Sequence, residues 1–180
     1  MEHEAEFAAY ADGAWGTLVR SAVFLGCTLA DAEDLAQTTL VKAYAAWPRV
    51  RAADNRDAYV YRMLVNALRD SHRRPWRRER STDRLPEAAV PDGTAAVDTA
   101  DAVHRALAGL TRAHRDVVVL RYFAQLTEAQ TALALGVPAG TVKSRLSRAL
   151  AQLSTDRHLT GSLTRSPGSP SGEDEGDHRD

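Results

Sequence analysis

The sequence predicts an all-α fold: two small helical domains joined by a flexible linker, with a helix-turn-helix in the C-terminal one. Three observations support this prediction. Apolar residues recur at helical spacing along most of the 180 residues. Strand-like alternation is rare, whereas alanine and arginine are abundant. Residues 75–98 contain three prolines and no sustained periodicity, so they separate the helical segments into two groups.

The amino-acid composition restricts the class of protein and the cellular compartment that we expect. The formal net charge of −1 gives no overall attraction to nucleic acid, so a basic surface must come from the distribution of charge. No apolar run approaches the roughly 20 residues that span a membrane, and the acidic N-terminus is unlike a signal peptide. We therefore expect a soluble, cytoplasmic protein with no membrane insertion. The single cysteine, Cys27, is expected to pack as a small apolar residue, with a redox role as the alternative.

Residues 1–26 predict the first helix. Gly13 and Gly16 lie in its middle and are expected to bend or break it. Apolar residues at helical spacing mark the candidate core positions. These are Phe7, Tyr10, Trp15, Leu18, Val19, Ala22 and Leu25.

Residues 31–47 predict a second helix with two different faces. Asp31 is the expected N-cap, and Pro48 is expected to end the helix. The predicted inner face contains Leu35, Ala36, Thr39, Leu40, Ala43 and Trp47. The outer face contains Asp34, Gln37, Thr38, Val41 and Ala45. A lone valine among small and polar residues indicates either an ordinary solvated surface or a protein-docking face with an apolar centre, and spacing alone does not separate the two.

A third helix follows a polar loop that extends from Arg49 to Asp57. It is expected to begin near Asp57 and to stop at Pro75. Its predicted inward positions are Val60, Leu64, Ala67, Leu68 and Ser71.

One outer stripe of this third helix combines an aromatic ring, an amide and several arginines. The members of this arginine stripe are Tyr59, Arg62, Asn66, Arg69 and Arg73. Between Arg56 and Arg80 the chain has eight arginines against three acidic residues, so this part of the chain is strongly basic. Stacking on unpaired bases and recognition of their edges require these residue types. The alternative is a basic surface with no ligand.

The pattern divides the chain into four parts: a domain over residues 1–74, a linker over 75–98, a four-helix domain over 99–158 and a disordered acidic tail over 159–180. In the second domain, Val103, Leu107 and Leu110 belong to one predicted helix. A second helix, which Thr111 is expected to cap, contains Val117, Val118, Leu120, Tyr122 and Phe123.

Residues 126–150 carry the clearest motif, two short helices joined by a tight turn. Thr127 and Gln130 have the spacing of a capping box, and Ala132 and Leu135 are expected to face inward. Gly136 stands where a helix needs a residue that tolerates positive φ, and Pro138 can open the next helix.

The second helix of this motif has a narrow apolar side and a polar, basic side. The apolar side contains Val142, Leu146, Ala149, Leu150 and Leu153. Gly140, Ser144, Ser147 and Arg148 face away from it, with Lys143 and Arg145 on the flanks. A helix of this kind suits the major groove of DNA. The alternative is a plain two-helix hairpin with solvated charges.

No catalytic set appears in the sequence. The six histidines are scattered, none of them pairs with a cysteine or carboxylate at a metal-ligand spacing, and no phosphate loop or nucleophile elbow occurs. We therefore expect no enzyme activity, no cofactor and no metal. A helical interaction protein that binds no DNA is a further alternative, which the unmixed arginine stripe argues against.

Together, three segments resemble a group IV (extracytoplasmic-function) sigma factor of bacterial RNA polymerase, of an actinobacterial kind. They are the Asp31-Ala-Glu-Asp-Leu-Ala-Gln segment, the arginine-rich helix that ends Asn66-Ala-Leu-Arg-Asp-Ser-His-Arg-Arg, and the Gly136-Val-Pro-Ala-Gly-Thr-Val-Lys-Ser-Arg-Leu segment. The resemblance covers roughly residues 5–155. A stand-alone helix-turn-helix regulator is the alternative function.

The resemblance implies core RNA polymerase and promoter DNA as partners, with the clamp of the largest subunit and the flap region as the sites on the enzyme. It implies a clamp-docking surface formed by Asp31, Asp34, Gln37, Thr38 and Val41. It implies recognition of the −10 element by Asn55, Arg56, Tyr59, Arg62, Asn66, Arg69 and Arg73. It implies recognition of the −35 element by Thr141, Lys143, Ser144, Arg145 and Arg148.

Two points depart from the family pattern or lie beyond it. Thr131 takes the place of an apolar core residue in the first helix of the helix-turn-helix, which puts the packing there in question. The motifs leave open whether an anti-sigma factor binds the chain.

Overall fold

Eight α-helices make up the part of the chain that the structure, a computed structural model, describes, which is residues 2–73 and 94–156. No strand occurs within those two ranges, so the predicted all-α fold is confirmed. The N-terminal module contains α1 (Glu2–Phe24), α2 (Leu29–Ala45), α3 (Trp47–Arg51) and α4 (Arg56–Arg73). The C-terminal module contains α5 (Thr94–Ala108), α6 (Arg112–Val118), α7 (Glu128–Leu135) and α8 (Ala139–Ser154).

Helix α1 is continuous from Glu2 to Phe24, so Gly13 and Gly16 do not break it. A Cβ atom at either glycine would meet nothing within 4 Å, which shows that neither backbone is crowded by another element. Trp15, a predicted core residue, is 39% exposed. It lies at the edge of the buried face of α1, which centres on Leu18 and Leu25, and is therefore only partly covered.

Helix α2 begins at Leu29, because Thr28, three residues before the predicted Asp31, is the N-cap. The Asp31 backbone N–H donates to Thr28 Oγ1 at 3.1 Å, and the Thr28 hydroxyl donates to the Asp31 carboxylate at 2.8 Å. The predicted inner face of this helix is confirmed. All six of its members are buried: Leu35, Ala36, Thr39, Leu40, Ala43 and Trp47.

Pro48 was predicted to end α2, but that helix ends at Ala45. Pro48 instead lies in the first turn of the short helix α3. Proline is tolerated there because the first backbone N–H groups of a helix have no partner within it. Part of the predicted polar loop is therefore helical. Only residues 52–55 separate α3 from α4, and Asn55 Oδ1 accepts the Ala58 N–H at 2.6 Å, as an N-cap does.

The C-terminal module begins at Thr94, five residues before the expected boundary at 99. Thr111 caps α6 as predicted, and this helix continues as a π-helical turn, Val119–Phe123. Tyr122, which the sequence assigns to this helix, lies in the π-helical turn and is 56% exposed.

Packing within and between the modules positions the surfaces described below. Helix α2 packs on α1 and on α4, and α8 packs on α6 and α7. The two modules also contact each other, because α4 packs on α7 and α1 contacts the π-helical turn that follows α6.

Thr131 is fully buried in α7, and its Oγ1 has no hydrogen-bond partner among the described residues. We expect Thr131→Val to raise the free energy of unfolding by about 1 kcal/mol, because valine has a similar shape and removes an unsatisfied buried hydroxyl. Chemical denaturation measures the change. Thr39→Val is the matched control, since Thr39 is equally buried but its hydroxyl donates to the Leu35 carbonyl at 2.7 Å. Equal gains, or a loss at Thr131, would contradict the prediction.

Candidate nucleic-acid and protein interfaces

The helix-turn-helix is held by local hydrogen bonds at both ends of α7. Gln130 N–H donates to Thr127 Oγ1 at 3.3 Å, and Thr127 N–H donates to Gln130 Oε1 at 2.7 Å, which completes the predicted capping box. Gly136 has φ +68°, a left-handed conformation that suits glycine, and Pro138 immediately precedes α8. These contacts fix the angle at which α8 leaves the turn.

The outer surface of α8 is called the recognition face, and the apolar side opposite it is only partly buried. Val142 and Ala149 are fully buried, and Leu146 and Leu153 are half-buried. Leu150, which the sequence predicts to face inward with them, is 39% exposed. Lys143, Ser144 and Arg148 are exposed, and Thr141 and Arg145 are half-buried. The five residues of the predicted −35 surface therefore lie on one helix, with small neighbours at Gly140 and Ser147. Small and basic residues near a helix N-terminus can approach phosphates and base edges closely.

The arginine stripe on α4 is only partly accessible. Arg62 and Asn66 are exposed, and Tyr59 is half-buried. Arg69 is half-buried, and its Nη2 donates to the Leu135 carbonyl at the end of α7 with a distance of 3.1 Å. Arg73 is the last residue of α4, and its side chain lies outside the described part of the structure. In this arrangement the C-terminal module therefore occupies one end of the stripe.

The other predicted −10 residues, Asn55 and Arg56, are tied to the protein itself. Asn55 caps α4 through its side-chain carbonyl oxygen, which leaves the second lone pair of that oxygen and the amide NH₂ group for further contacts. Arg56 Nη2 lies 3.0 Å from Glu6 Oε1, and its guanidinium carbon lies 5.6 Å from the centre of the Trp47 ring. Both contacts orient the arginine at the start of the helix that carries the stripe.

The outer side of α2, the docking face, has an apolar centre. Val41 is 63% exposed, and Asp34, Gln37 and Thr38 are exposed around it. Asp31 is also exposed, and its carboxylate accepts the Thr28 hydroxyl.

Tyr44 extends the docking face and was missed by the sequence analysis. Its side chain is 52% exposed, and its ring centre lies 5.0 Å from that of Phe7 on α1. The signal was available, because Tyr44 follows Val41 by three residues and therefore lies on the same side of the helix. Tyrosine and valine together are the composition expected of a protein-binding centre with a polar rim.

Contacts between the modules involve rings, backbone and charges. The ring centres of Phe24 and Phe123 are 4.2 Å apart. Gly26 has φ +104°, and a Cβ atom there would lie 2.6 Å from Arg115 Nη1, so a side chain at this position would displace the arginine. Arg115 itself donates to the carbonyls of Leu107, Ala108 and Leu110 at 3.0 to 3.3 Å, which caps the end of α5.

Asp116 is the main buried carboxylate near this contact. It is 7% exposed, and Oδ1 has no hydrogen-bond partner among the described residues. Burial raises the pKa of the Asp116 carboxyl, and the nearby guanidinium groups of Arg112 and Arg69 oppose this shift. Arg69 belongs to the N-terminal module and Asp116 to the C-terminal module. Arg69 of the arginine stripe therefore also supplies positive charge near a buried carboxylate of the other module.

The environment of Cys27 disfavours a reactive thiol. Burial raises the pKa of the Cys27 thiol to about 12, which disfavours the thiolate needed for redox reactions. Cys27 packs against the core, as expected of a small apolar residue. Within residues 2–73 and 94–156, no group of three or more histidine, cysteine or carboxylate side chains could hold a metal ion. No helix in those ranges is both long and apolar enough to cross a membrane.

Family models and relatives match both modules. Sigma-70 region 2 matches residues 8–78, and Sigma-70, region 4 matches residues 100–153. The RNA polymerase sigma-E factor of Streptomyces avermitilis is 39% identical over 148 residues, which cover 82% of this chain and 83% of that relative. The ECF RNA polymerase sigma factor SigM of Mycobacterium tuberculosis is 38% identical over 127 residues, which cover 70% of this chain and 64% of that relative.

Two solved structures resemble the whole arrangement. The sigma factor RpoE of Bartonella quintana, crystallised with the anti-sigma factor NepR, superposes with a TM-score of 0.71 and 25% identity, over 89% of this chain and 98% of that chain. CnrH, in complex with the cytosolic domain of CnrY, superposes with a TM-score of 0.61 and 24% identity, over 84% and 86% of the two chains. At 24% identity, the similarity to CnrH shows a shared fold.

Proposed function

The chain belongs to the extracytoplasmic-function (ECF) sigma factors of the sigma-70 family, so it binds core RNA polymerase and directs promoter-specific transcription initiation, and we propose which of its surfaces perform each task. The docking face on α2 binds the clamp of the largest polymerase subunit. The arginine stripe and the loop before it bind the −10 element, and the recognition face on α8 binds the −35 element. One observation supports the proposal: a single chain exposes polar and basic side chains on two separate modules, Arg62 with Asn66 and Ser144 with Arg148.

The division of labour follows from the residue types. An aromatic, an amide and arginines can stack on unpaired bases and read their edges, which suits a −10 element that has been melted. A helix with small, polar and basic residues suits the major groove of a duplex, which the −35 element remains. The sigma factor thereby supplies base contacts and strand capture in the cytoplasm, and the polymerase carries out the chemistry of RNA synthesis.

The docking face has a separate physical basis. Val41 and Tyr44 offer apolar area that is exposed in the chain alone, and the polar residues around them can form the rim of an interface. The proposed domain boundaries agree with these tasks: residues 1–74 hold the docking face and the arginine stripe, and residues 99–158 hold the recognition face. The acidic residues 159–180 lie outside the described part of the structure and receive no role.

We also propose that this chain binds an anti-sigma factor. The Bartonella quintana RpoE, which covers most of this chain in the superposition, was crystallised with such a protein. Capture of partners from the native cell, followed by mass spectrometry, tests this extension. Recovery of polymerase subunits alone under both growth and stress conditions would contradict it.

Arg148→Ala tests the recognition face. We expect about a tenfold loss of run-off transcription from promoters with an intact −35 element, because one good arginine contact to a base edge is worth about 1–3 kcal/mol. The loss should shrink on promoters whose −35 sequence has been replaced. Arg105→Ala is the matched control, because Arg105 is an exposed arginine of α5 that pairs with Asp101 at 3.0 Å within the same helix. Unchanged activity of Arg148→Ala on intact promoters would place the −35 surface elsewhere.

A further inference from the structure

We propose that Glu6 of α1 is a positioning and specificity-determining residue for recognition of the −10 element, although it lies about 50 residues before the residues that read DNA. This inference rests on the proposed assignment of the loop at 52–55 and of α4 to the −10 element. Nothing in the sequence pattern marks Glu6, which stands on a helix with no predicted contact to DNA.

The geometry places one carboxylate between the two arginines that flank the loop. Glu6 Oε2 lies 3.4 Å from Nη1 of Arg51, the last residue of α3, and Glu6 Oε1 lies 3.0 Å from Nη2 of Arg56, the first residue of α4. Residues 52–55 form the connection between these two arginines. Glu6 therefore joins both sides of the loop at its base and fixes the separation of its ends.

Neighbouring residues of α1 support the same frame. Tyr10, one turn after Glu6, donates its hydroxyl to Asp57 Oδ1 at 2.9 Å, and burial together with this carboxylate raises the pKa of the tyrosine. The Phe7 and Tyr10 rings lie 5.1 and 5.3 Å from the Trp47 ring, and Arg56 lies over that same ring. Helix α1 therefore orients Arg56, the Trp47 ring beneath it and Asp57 in the first turn of α4.

The charge of Glu6 also has a consequence for selectivity. The side chains of Arg51 and Arg56 are 49% and 41% exposed, so they remain within reach of a nucleic acid. Without a carboxylate between them, both are free to bind phosphates of any sequence, since phosphate contacts carry no base information. With Glu6 in place, part of their charge is already neutralised, and binding depends more strongly on contacts to bases.

Glu6→Gln in the holoenzyme, assembled from the full chain and core polymerase, tests the proposal. Run-off transcription is measured on a cognate promoter and on the same promoter with its −10 element replaced. We expect the ratio of the two activities to fall about fivefold, because Arg51 and Arg56 are then released to bind phosphates of either promoter, and such contacts do not depend on base sequence. The salt dependence of binding to the replaced promoter should steepen by about 0.7 in log–log slope for each arginine that gains a single-strand phosphate.

Two further variants separate the contact from its side effects. Glu4→Gln removes the same charge from an exposed position of the same helix and should leave the ratio and the salt slope unchanged. Glu6→Asp keeps the charge and should stay within about twofold of the parent ratio. Equal effects of Glu4→Gln and Glu6→Gln, or an unchanged ratio and slope for Glu6→Gln, would overturn the proposal.

Arg62→Ala and Asn66→Ala, measured in parallel, distinguish this inference from the function on which it rests. If they reduce transcription while Glu6→Gln leaves the ratio and the slope unchanged, only the role of Glu6 is wrong. If neither of them changes activity on the cognate promoter, the assignment of α4 to the −10 element is itself wrong.

Discussion

Val41→Asp is expected to reduce promoter-specific transcription by core polymerase about 100-fold, because an unpaired carboxylate at the dry centre of an interface costs several kcal/mol. Val41 is 63% exposed in the chain alone, so the substitution should leave the stability of the free protein nearly unchanged. The loss should therefore appear in binding to core enzyme. Titration of labelled protein with core polymerase measures it directly, alongside run-off transcription.

The control for this prediction is Lys42→Asp. It introduces the same carboxylate at the next residue of α2, which is exposed but turned about 100° away from Val41. We expect this variant to bind core polymerase within about threefold of the parent, as surface substitutions away from an interface usually do. Equal losses from both substitutions would indicate a general charge effect. Full activity of Val41→Asp would show that the docking face lies on another helix.

The parts of the fold that the sequence predicts well are those decided by local chemistry. Thr127, Gln130 and Gly136 act within four or five residues of each other, and the capping box and the left-handed turn are both present. The inner face of α2 depends only on helical period, and all six predicted members are buried. The N-cap of α2 was assigned to Asp31 instead of Thr28 because both residue types cap helices, and propensity does not decide between two candidates three residues apart.

The parts that could not be predicted depend on contacts between distant segments. Glu6 meets Arg51 and Arg56 only after α1 has packed beside α3 and α4. Arg69 belongs to a basic stripe by its spacing, yet the structure places it against the Leu135 carbonyl of the other module. Periodicity identifies which side of a helix is polar, but it carries no information about which element will cover that side.

The accessibility of the arginine stripe is thus a property of the arrangement of the two modules. The positions −10 and −35 differ by about 25 base pairs, which corresponds to about 85 Å of duplex at 3.4 Å per base pair. Here the modules are in direct contact, with the Phe24 and Phe123 rings 4.2 Å apart. This closed arrangement cannot reach both elements at once, and it keeps Arg69 from contact with DNA. We therefore infer that the modules separate when the chain takes its place on polymerase.

Holding the modules together should consequently abolish transcription. In a Cys27→Ser background, Phe24→Cys and Phe123→Cys are joined by a short bis-maleimide crosslinker that contains a disulfide. Run-off transcription with core polymerase is then expected to fall to the level set by the uncrosslinked fraction and to recover when the crosslinker is reduced. Each single-cysteine variant treated with the same reagent controls for chemical modification and should keep its activity. A crosslinked protein that initiates at the parental rate from a promoter with both elements would show that the closed arrangement is compatible with function, because opening of the Phe24–Phe123 contact would then be unnecessary.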